Sequence, residues 1–322
     1  MILVTGATGF LGRNLCQRLL NQGYPLKALV RPGSDTDFLA KAEVAYGDVT
    51  DYDSVLAAVH GCESIIHAAA VFRFWGSRQL FEQTNVLGAE HMLRAALAAG
   101  VKRFVYVSTV AVVGPPPDNI VIDETTPCHP ADDYQRTKLR AEQLALRFYR
   151  DQQLPVIVLR LGALYGPWGH YALNRLFFEE FLRGWRIQVE HGRHITFPCF
   201  VGDAAQAIEA ALHRGRPGEI YNVSGPSISH RRFNRIISRL AGRRNWRLNM
   251  PTWVMLNAAR LLEWLSRWTG REPYYPLNLA PYVFKDWRVD SSKAGRELGF
   301  CPTPVEEGVR QTLDWYRSIG LL

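Results

Sequence analysis

Tyr134 and Lys138, four residues apart in Tyr134-Gln-Arg-Thr-Lys138, are a pair of side chains suited to moving a proton. On a helix, positions i and i+4 share a face, so the Lys138 ammonium would stand beside the Tyr134 phenol and favour its ionised form. A phenol that ordinarily ionises near pH ~10 would then exchange a proton with a bound molecule at neutral pH. Any amphipathic helix can carry a Tyr and a Lys. What gives this pair weight is the opening segment Thr5-Gly-Ala-Thr-Gly-Phe-Leu-Gly12. Gly6, Gly9 and Gly12 follow a β-like run and open a helical one, the context in which glycines let the backbone approach a pyrophosphate seated on a helix N-terminus. Their spacing is GxxGxxG rather than the GxGxxG of the usual dinucleotide fingerprint. The second β-like run ends at Arg31, where NAD-selective sites place an acid on the ribose. Arg31 reverses that charge and would receive a 2′-phosphate, favouring NADP(H) over NAD(H).

Elements of the right kind surround these residues. Aliphatic and β-branched runs near 2–5, 26–31, 43–46, 64–67, 102–108 and 156–161 alternate with helical patterns near 11–22, 51–60, 78–99 and 132–152. That alternation predicts an α/β fold, a Rossmann-type doubly wound parallel sheet, with Tyr134 and Lys138 on a crossover helix. Gly114-Pro-Pro-Pro-Asp118 reads as a loop. Beyond Gly166-Pro167 the alternation loosens and aromatics accumulate, so residues 1–166 form the nucleotide-binding part. Residues 167–194 and 225–322 form a smaller, mostly helical substrate-binding region, the chain returning to the sheet at about 195–224 through a strand at Glu219–Val223.

The pieces together resemble the extended short-chain dehydrogenase/reductase family, also called the NAD-dependent epimerase/dehydratase family, over nearly the whole chain. The family's TGxxGxxG matches Thr5–Gly12, including Thr8, Phe10 and Leu11. Its adenine-flanking Asp-Val matches Asp48-Val49, its alanine-rich turn His67-Ala68-Ala69-Ala70, and its Asn-Val pair Asn85-Val86. Arg160-Leu-Gly-Ala-Leu-Tyr-Gly-Pro167 resembles the segment beside the nicotinamide, with Leu161, Ala163 and Leu164, and Phe200-Val-Gly-Asp203 a later family segment. The resemblance implies a catalytic set of Thr109, Tyr134 and Lys138. Tyr134 would exchange a proton with a carbonyl or alcohol oxygen during hydride transfer. Lys138 would also hold the nicotinamide ribose, and Thr109 would hydrogen-bond the reacting oxygen. For Asn85 a supporting role and a catalytic one stay open.

Departures from the family narrow the chemistry. Its dehydratases carry Asp-Glu directly after the catalytic threonine; here stand Val110 and Ala111, which argues against dehydration. Val113 replaces the tyrosine that many epimerases have before the following glycine, and Leu161 the usual proline. The expected enzyme is therefore an NADP(H)-dependent reductase or dehydrogenase of a bulky, lipophilic alcohol or ketone. It resembles the branch of dihydroflavonol reductases, 3β-hydroxysteroid dehydrogenases and sterol decarboxylating dehydrogenases. The alternative is a nucleotide-sugar epimerase with tightly bound NAD, its substrate diphosphate gripped by arginines of the 230–247 segment. A cofactor-binding module without turnover is a third reading, disfavoured because Thr109, Tyr134 and Lys138 are all present.

Composition and charge set the remaining expectations. At 322 residues, 47% hydrophobic and 21% charged, the chain has ample material for a core. The five cysteines are scattered, with no CxxC pair, which suits a reducing compartment. A β-like run directly after the initiator Met leaves no room for a cleavable leader, so the expected location is the cytoplasm. The net charge of +8 gathers in His230–Arg247, where Phe233, Ile236, Ile237 and Leu240 recur at helical spacing between a Ser229 N-cap and a Gly242 C-cap. Its arginines form a solvated face or meet an anionic membrane surface or a phosphorylated substrate; nucleic acid is not expected. Trp253–Trp268 is too short and too polar to span a bilayer. It either packs over the substrate pocket or attaches to a membrane surface through its tryptophans. A homodimer through the helices at 78–99 and 132–152 is compatible with their apolar faces. His191 and His194 lack a third ligand, so no metal site is expected. Asp123-Glu124 and Asp132-Asp133 are expected to be structural acids.

Overall fold

The computed structural model describes residues 1–322. Ile2–Thr5 (β1), Leu26–Val30 (β2), Glu43–Tyr46 (β3), Ser64–His67 (β4), Arg103–Thr109 (β5), Val156–Leu161 (β6) and Ile220–Val223 (β7) form one sheet in the order β7-β6-β5-β4-β1-β2-β3. Every pairing in it is parallel. β1 and β6 are buried at every position because helices cover both faces, which explains why these strands read as unbroken apolar runs. Only the edge strand β3 leaves residues exposed. Arg31 follows β2 rather than ending it, and Thr109 is the last residue of β5.

Phe10–Asn21 (α1) packs against Val201–Arg214 (α5, with Tyr52–Val59 as α2, Gly88–Ala98 as α3 and Asp133–Gln152 as α4 between them in sequence). Leu15 and Leu19 of α1 meet Ile208 and Leu212 of α5 in the core on one sheet face. Val55, Met92, Leu93, Ala141 and Phe148 of α2, α3 and α4 fill the other. The helix expected at 78–99 runs from Arg78 to Ala98 but widens into a π-helical turn at Glu82–Leu87.

A third core binds the later helices to this sheet layer. Tyr165, Phe178 and Phe181 pack with Phe233 and Ile237 of His230–Leu240 (α6). Leu313 and Tyr316 join them from the last helix, Val305–Ser318. Ser229 caps α6 by accepting a hydrogen bond from the Arg232 N–H, and Gly242 follows its end at φ 65°, as the sequence predicted. Between these helices lies Thr252–Thr269 (α7). Arg288–Val289 pairs with Val121–Ile122, just past the Pro-rich loop, and ties the late chain to the segment between β5 and α4.

Candidate active site

β1 and β4 are neighbours, whereas β2 and β5 lie on opposite sides of them, so the strand order reverses between β1 and β4 and opens a crevice at their C-terminal ends. There Thr5 Oγ1 lies 2.8 Å from His67 Nδ1 and accepts a hydrogen bond from the Ala69 N–H, pinning the two strand ends together. The chain turns into α1 through Gly6, at φ 70°. A Cβ on Gly6 would stand 2.8 Å from the Ala69 nitrogen, and one on Gly12 only 1.9 Å from the Gly6 carbonyl oxygen. No side chain caps α1 at Gly9, so its first N–H groups are left to an anion. A bare backbone cradle at a helix N-terminus fits a dinucleotide pyrophosphate. Thr8, Phe10 and Leu11 of the turn, Arg31, Asp48 and Val49 beyond β2 and β3, Ala68, Ala69 and Ala70 after β4, and Leu161, Ala163 and Leu164 after β6 all line one cavity of about 800 Å³.

The same cavity runs past Thr109, Tyr134 and Lys138. Asp132 starts α4 by accepting a hydrogen bond from the Gln135 N–H at 2.7 Å, which places Tyr134 in the helix's first turn. Thr109 stands near enough to the phenol for its hydroxyl to favour the ionised form, against the larger effect of burial. Phe72 packs against the Tyr134 ring with centroids 4.8 Å apart. The Lys138 Nζ donates to the Val107 carbonyl at 2.7 Å and lies over the Tyr106 ring. The expectation of a phenol tuned towards ionisation needs correcting here. Burial is the leading influence on both groups, pushing the phenol well above its ordinary range and the ammonium down to about 7. The Glu142 carboxylate only partly opposes that fall. Glu142 is itself engaged by Arg160 at 2.6 Å and by the Ser108 hydroxyl at 2.6 Å, and the pair is nearly sealed from water.

Asn85 sits inside the π-helical turn, not at a helix start. Its side chain exchanges two hydrogen bonds with the Val71 backbone and donates to Thr137 Oγ1, so it joins the alanine turn to the Tyr134 helix. Val110 and Ala111 are buried. The acid pairs are structural: beside the Asp132 cap, Asp123 Oδ1 accepts from Thr125 and Thr126, and Glu124 accepts from the Asn222 N–H. His194 Nδ1 lies 3.2 Å from Asp286.

The far part of the cavity is built in part by the helix at 253–268, which the sequence read as packing over the substrate pocket, and in part by residues that it did not single out. Of its 55 lining residues 35 are hydrophobic, among them Leu173, Leu176 and Phe177, Met255, Leu256 and Ala259 of α7, and Leu279 and Val283. Polar side chains interrupt that wall, Glu180 and His230 among them. Glu180 receives the Tyr275 hydroxyl at 2.9 Å, but its second oxygen has no partner, and burial raises its carboxyl to about 7. His230 has an unpartnered Nε2, and burial lowers its pKa to about 4. No arginine of the 230–247 segment lines the cavity, because α6 turns its apolar face inward. Trp287 is wholly buried, stacked between Phe197 and Tyr282, and it packs against Val110 and Val113 in the turn after Thr109. The Tyr282 hydroxyl in turn accepts from Gln135, next to Tyr134.

A parallel sheet with a glycine cradle at its reversal, opening onto a Thr–Tyr–Lys cluster, defines a Rossmann-class oxidoreductase that uses a nicotinamide dinucleotide. Comparison with known proteins supplies the family. Residues 2–224 match the NAD dependent epimerase/dehydratase family, and the chain belongs to it. It is 33% identical to sterol demethylase protein B of Methylococcus capsulatus, over 99% of each chain. It is 30% identical to the 4-hydroxy-2-methyl-3-oxo-4-farnesyl-3,4-dihydroquinoline-1-oxide ketoreductase of Stigmatella aurantiaca, over 98% of this chain and 96% of that one. The crystal structure of gox2253 matches with a TM-score of 0.85 at 32% identity, covering 100% of this chain and 99% of the other.

Proposed function

We propose that this enzyme is an NADP(H)-dependent reductase that interconverts a ketone and an alcohol on a bulky lipophilic substrate. The observation that carries the reading is the continuity of one cavity, from the glycine cradle past Tyr134 to the apolar wall of Phe177, Met255, Leu256 and Leu279. Such a wall excludes water and suits a hydrocarbon skeleton. The sterol-related and ketoreductase relatives point the same way.

Gly6, Gly9 and Gly12 would hold the pyrophosphate and Arg31 the 2′-phosphate. Bound there, the nicotinamide would supply or accept the hydride. The remaining steps belong to the protein. Thr109 fixes the substrate oxygen and the Tyr134 hydroxyl in one hydrogen-bonded set. Tyr134 is held protonated by burial, the state from which it donates to a carbonyl oxygen as that oxygen gains charge. Lys138, near half protonation at neutral pH, keeps the floor of the site polar through the Val107 carbonyl.

Consumption of NADPH with a panel of hydrophobic ketones, such as steroid ketones, tests the proposal. Turnover should occur and should fall about 10²–10⁴-fold in Tyr134→Phe, with NADPH binding retained. Interconversion of UDP-sugars by a protein that retains NAD, without ketone turnover, would sink it.

A further inference from the structure

α7 has two apolar faces. Met255, Leu256 and Ala259 line the cavity, while Trp253, Leu261, Trp264, Leu265 and Trp268 face solvent. Trp253 is 67% exposed, Trp264 54% and Trp268 79%. Large apolar side chains left together in water mark a contact surface. Further large apolar side chains are exposed just before the helix in sequence. Leu248 pairs in register with Ile187, bringing the exposed Trp246 and Leu248 beside the exposed Trp185.

The charge around these side chains identifies the occupant. From Gly242 to Arg271 the chain carries six arginines and a single acid, Glu263, whose carboxylate is already engaged by the Leu277 N–H. Arg247 packs on Phe181, but Arg243, Arg244, Arg260, Arg267 and Arg271 form no ion pair within the protein. Arg186, Arg243, Arg244 and Trp246 line a shallow basic hollow at the same flank. Tryptophans that rest at headgroup depth, rimmed by unpaired arginines, complement an anionic bilayer in both polarity and charge. No helix is long and apolar enough to cross a membrane, so attachment through this face lies at the surface.

We infer that the outer face of α7, with its Trp185–Arg186 and Arg243–Leu248 flank, docks on an anionic lipid surface. The helix then stands between bilayer and cavity, and a lipophilic substrate reaches Tyr134 past Met255 and Leu256 without crossing water. Docking stands independently of the proposed reaction; the access route rests on it.

The test is co-sedimentation of the full-length protein with phosphatidylcholine vesicles containing about 30 mol% phosphatidylglycerol, beside vesicles of phosphatidylcholine alone. Binding to the anionic vesicles is expected, weakened by salt, with tryptophan emission quenched by brominated acyl chains. Trp264→Ser with Trp268→Ser should reduce partitioning about tenfold or more. Both positions are exposed, and an unchanged circular dichroism spectrum with retained NADPH binding verifies the fold. Absence of binding to anionic vesicles overturns the proposal, and so does binding that ignores the double substitution. A concentration-dependent dimer abolished by the same substitutions, without vesicle binding, would overturn it too and assign the face to a second copy of the chain. If vesicles bind but lipid-embedded and micellar ketones are reduced equally well, docking holds and the access route falls.

Discussion

Replacing Lys138 by methionine should make the protein more stable in a pH-dependent way while abolishing its activity. Burial lowers the Lys138 ammonium from an ordinary 10.5 to about 7. A shift of that size corresponds to up to about 5 kcal/mol of folding free energy. Below pH 7 the lysine is protonated both folded and unfolded, and folding carries the whole cost of burying the charge. Between about 7 and 10.5 the unfolded chain holds the extra proton, so stability contributed by this group rises with pH; above that window the cost is gone. Methionine fills a similar volume without charge. Urea unfolding followed by circular dichroism at pH 6, 8 and 10 should therefore show Lys138→Met more stable by a few kcal/mol at pH 6, the gap closing as pH rises. Titrating groups that do not interact with Lys138 are common to both proteins and cancel in the difference; Glu142 and His67 do interact with it. A gap that does not change with pH, or a variant less stable at pH 6, would refute the view that desolvation governs this lysine.

Three further outcomes follow from the same site. Arg31→Asp should cost tenfold or more in kcat/KM for NADPH while sparing or improving NADH, measured by initial rates with both nucleotides. Glu142→Gln leaves the buried Arg160 guanidinium uncompensated and should destabilise the fold by about 3–5 kcal/mol in urea titration. The double substitution Glu142→Gln with Arg160→Met should recover part of that loss. Gly12→Ala puts a methyl group 1.9 Å from the Gly6 carbonyl oxygen, so it should abolish NADPH binding in a fluorescence titration and lower the melting temperature.

What the sequence made legible was local. Gly6, Gly9 and Gly12 sit at a strand-to-helix turn because spacing and chain direction leave them little else to do, and the buried strands show themselves by continuous apolar runs. The i, i+4 relation put Tyr134 and Lys138 on one helical face, but spacing alone carries no account of what that face meets. The Val107 carbonyl comes from a neighbouring strand and receives the Lys138 ammonium, a partner that helical spacing does not reveal. Asn85 was visible as a polar residue in a helix; its partners Val71 and Thr137 stand 14 and 52 residues away and could not be read from its neighbours. Glu180 was hidden by its context, since an acid in Asn174–Leu182 reads as an exposed helical position until Tyr275 and the packing of Phe178 and Phe181 turn it inward. Phe72 offered a signal in the aromatic run after the alanine turn, though none that tied it to Tyr134.

The support that Trp287 and Tyr282 give to the Thr109 turn and the start of α4 bears on how the molecule is made. Synthesis proceeds from the N-terminus, and early segments can fold before late ones exist. The glycine cradle and all but the last strand of the sheet leave the ribosome well before Trp287 does. Only when residues 282–289 emerge can Trp287 fill its slot and Tyr282 receive Gln135. A nascent chain should thus acquire its nucleotide cradle first and its reactive geometry among the last things to form, so that a stalled or truncated product can hold a dinucleotide without being able to turn it over.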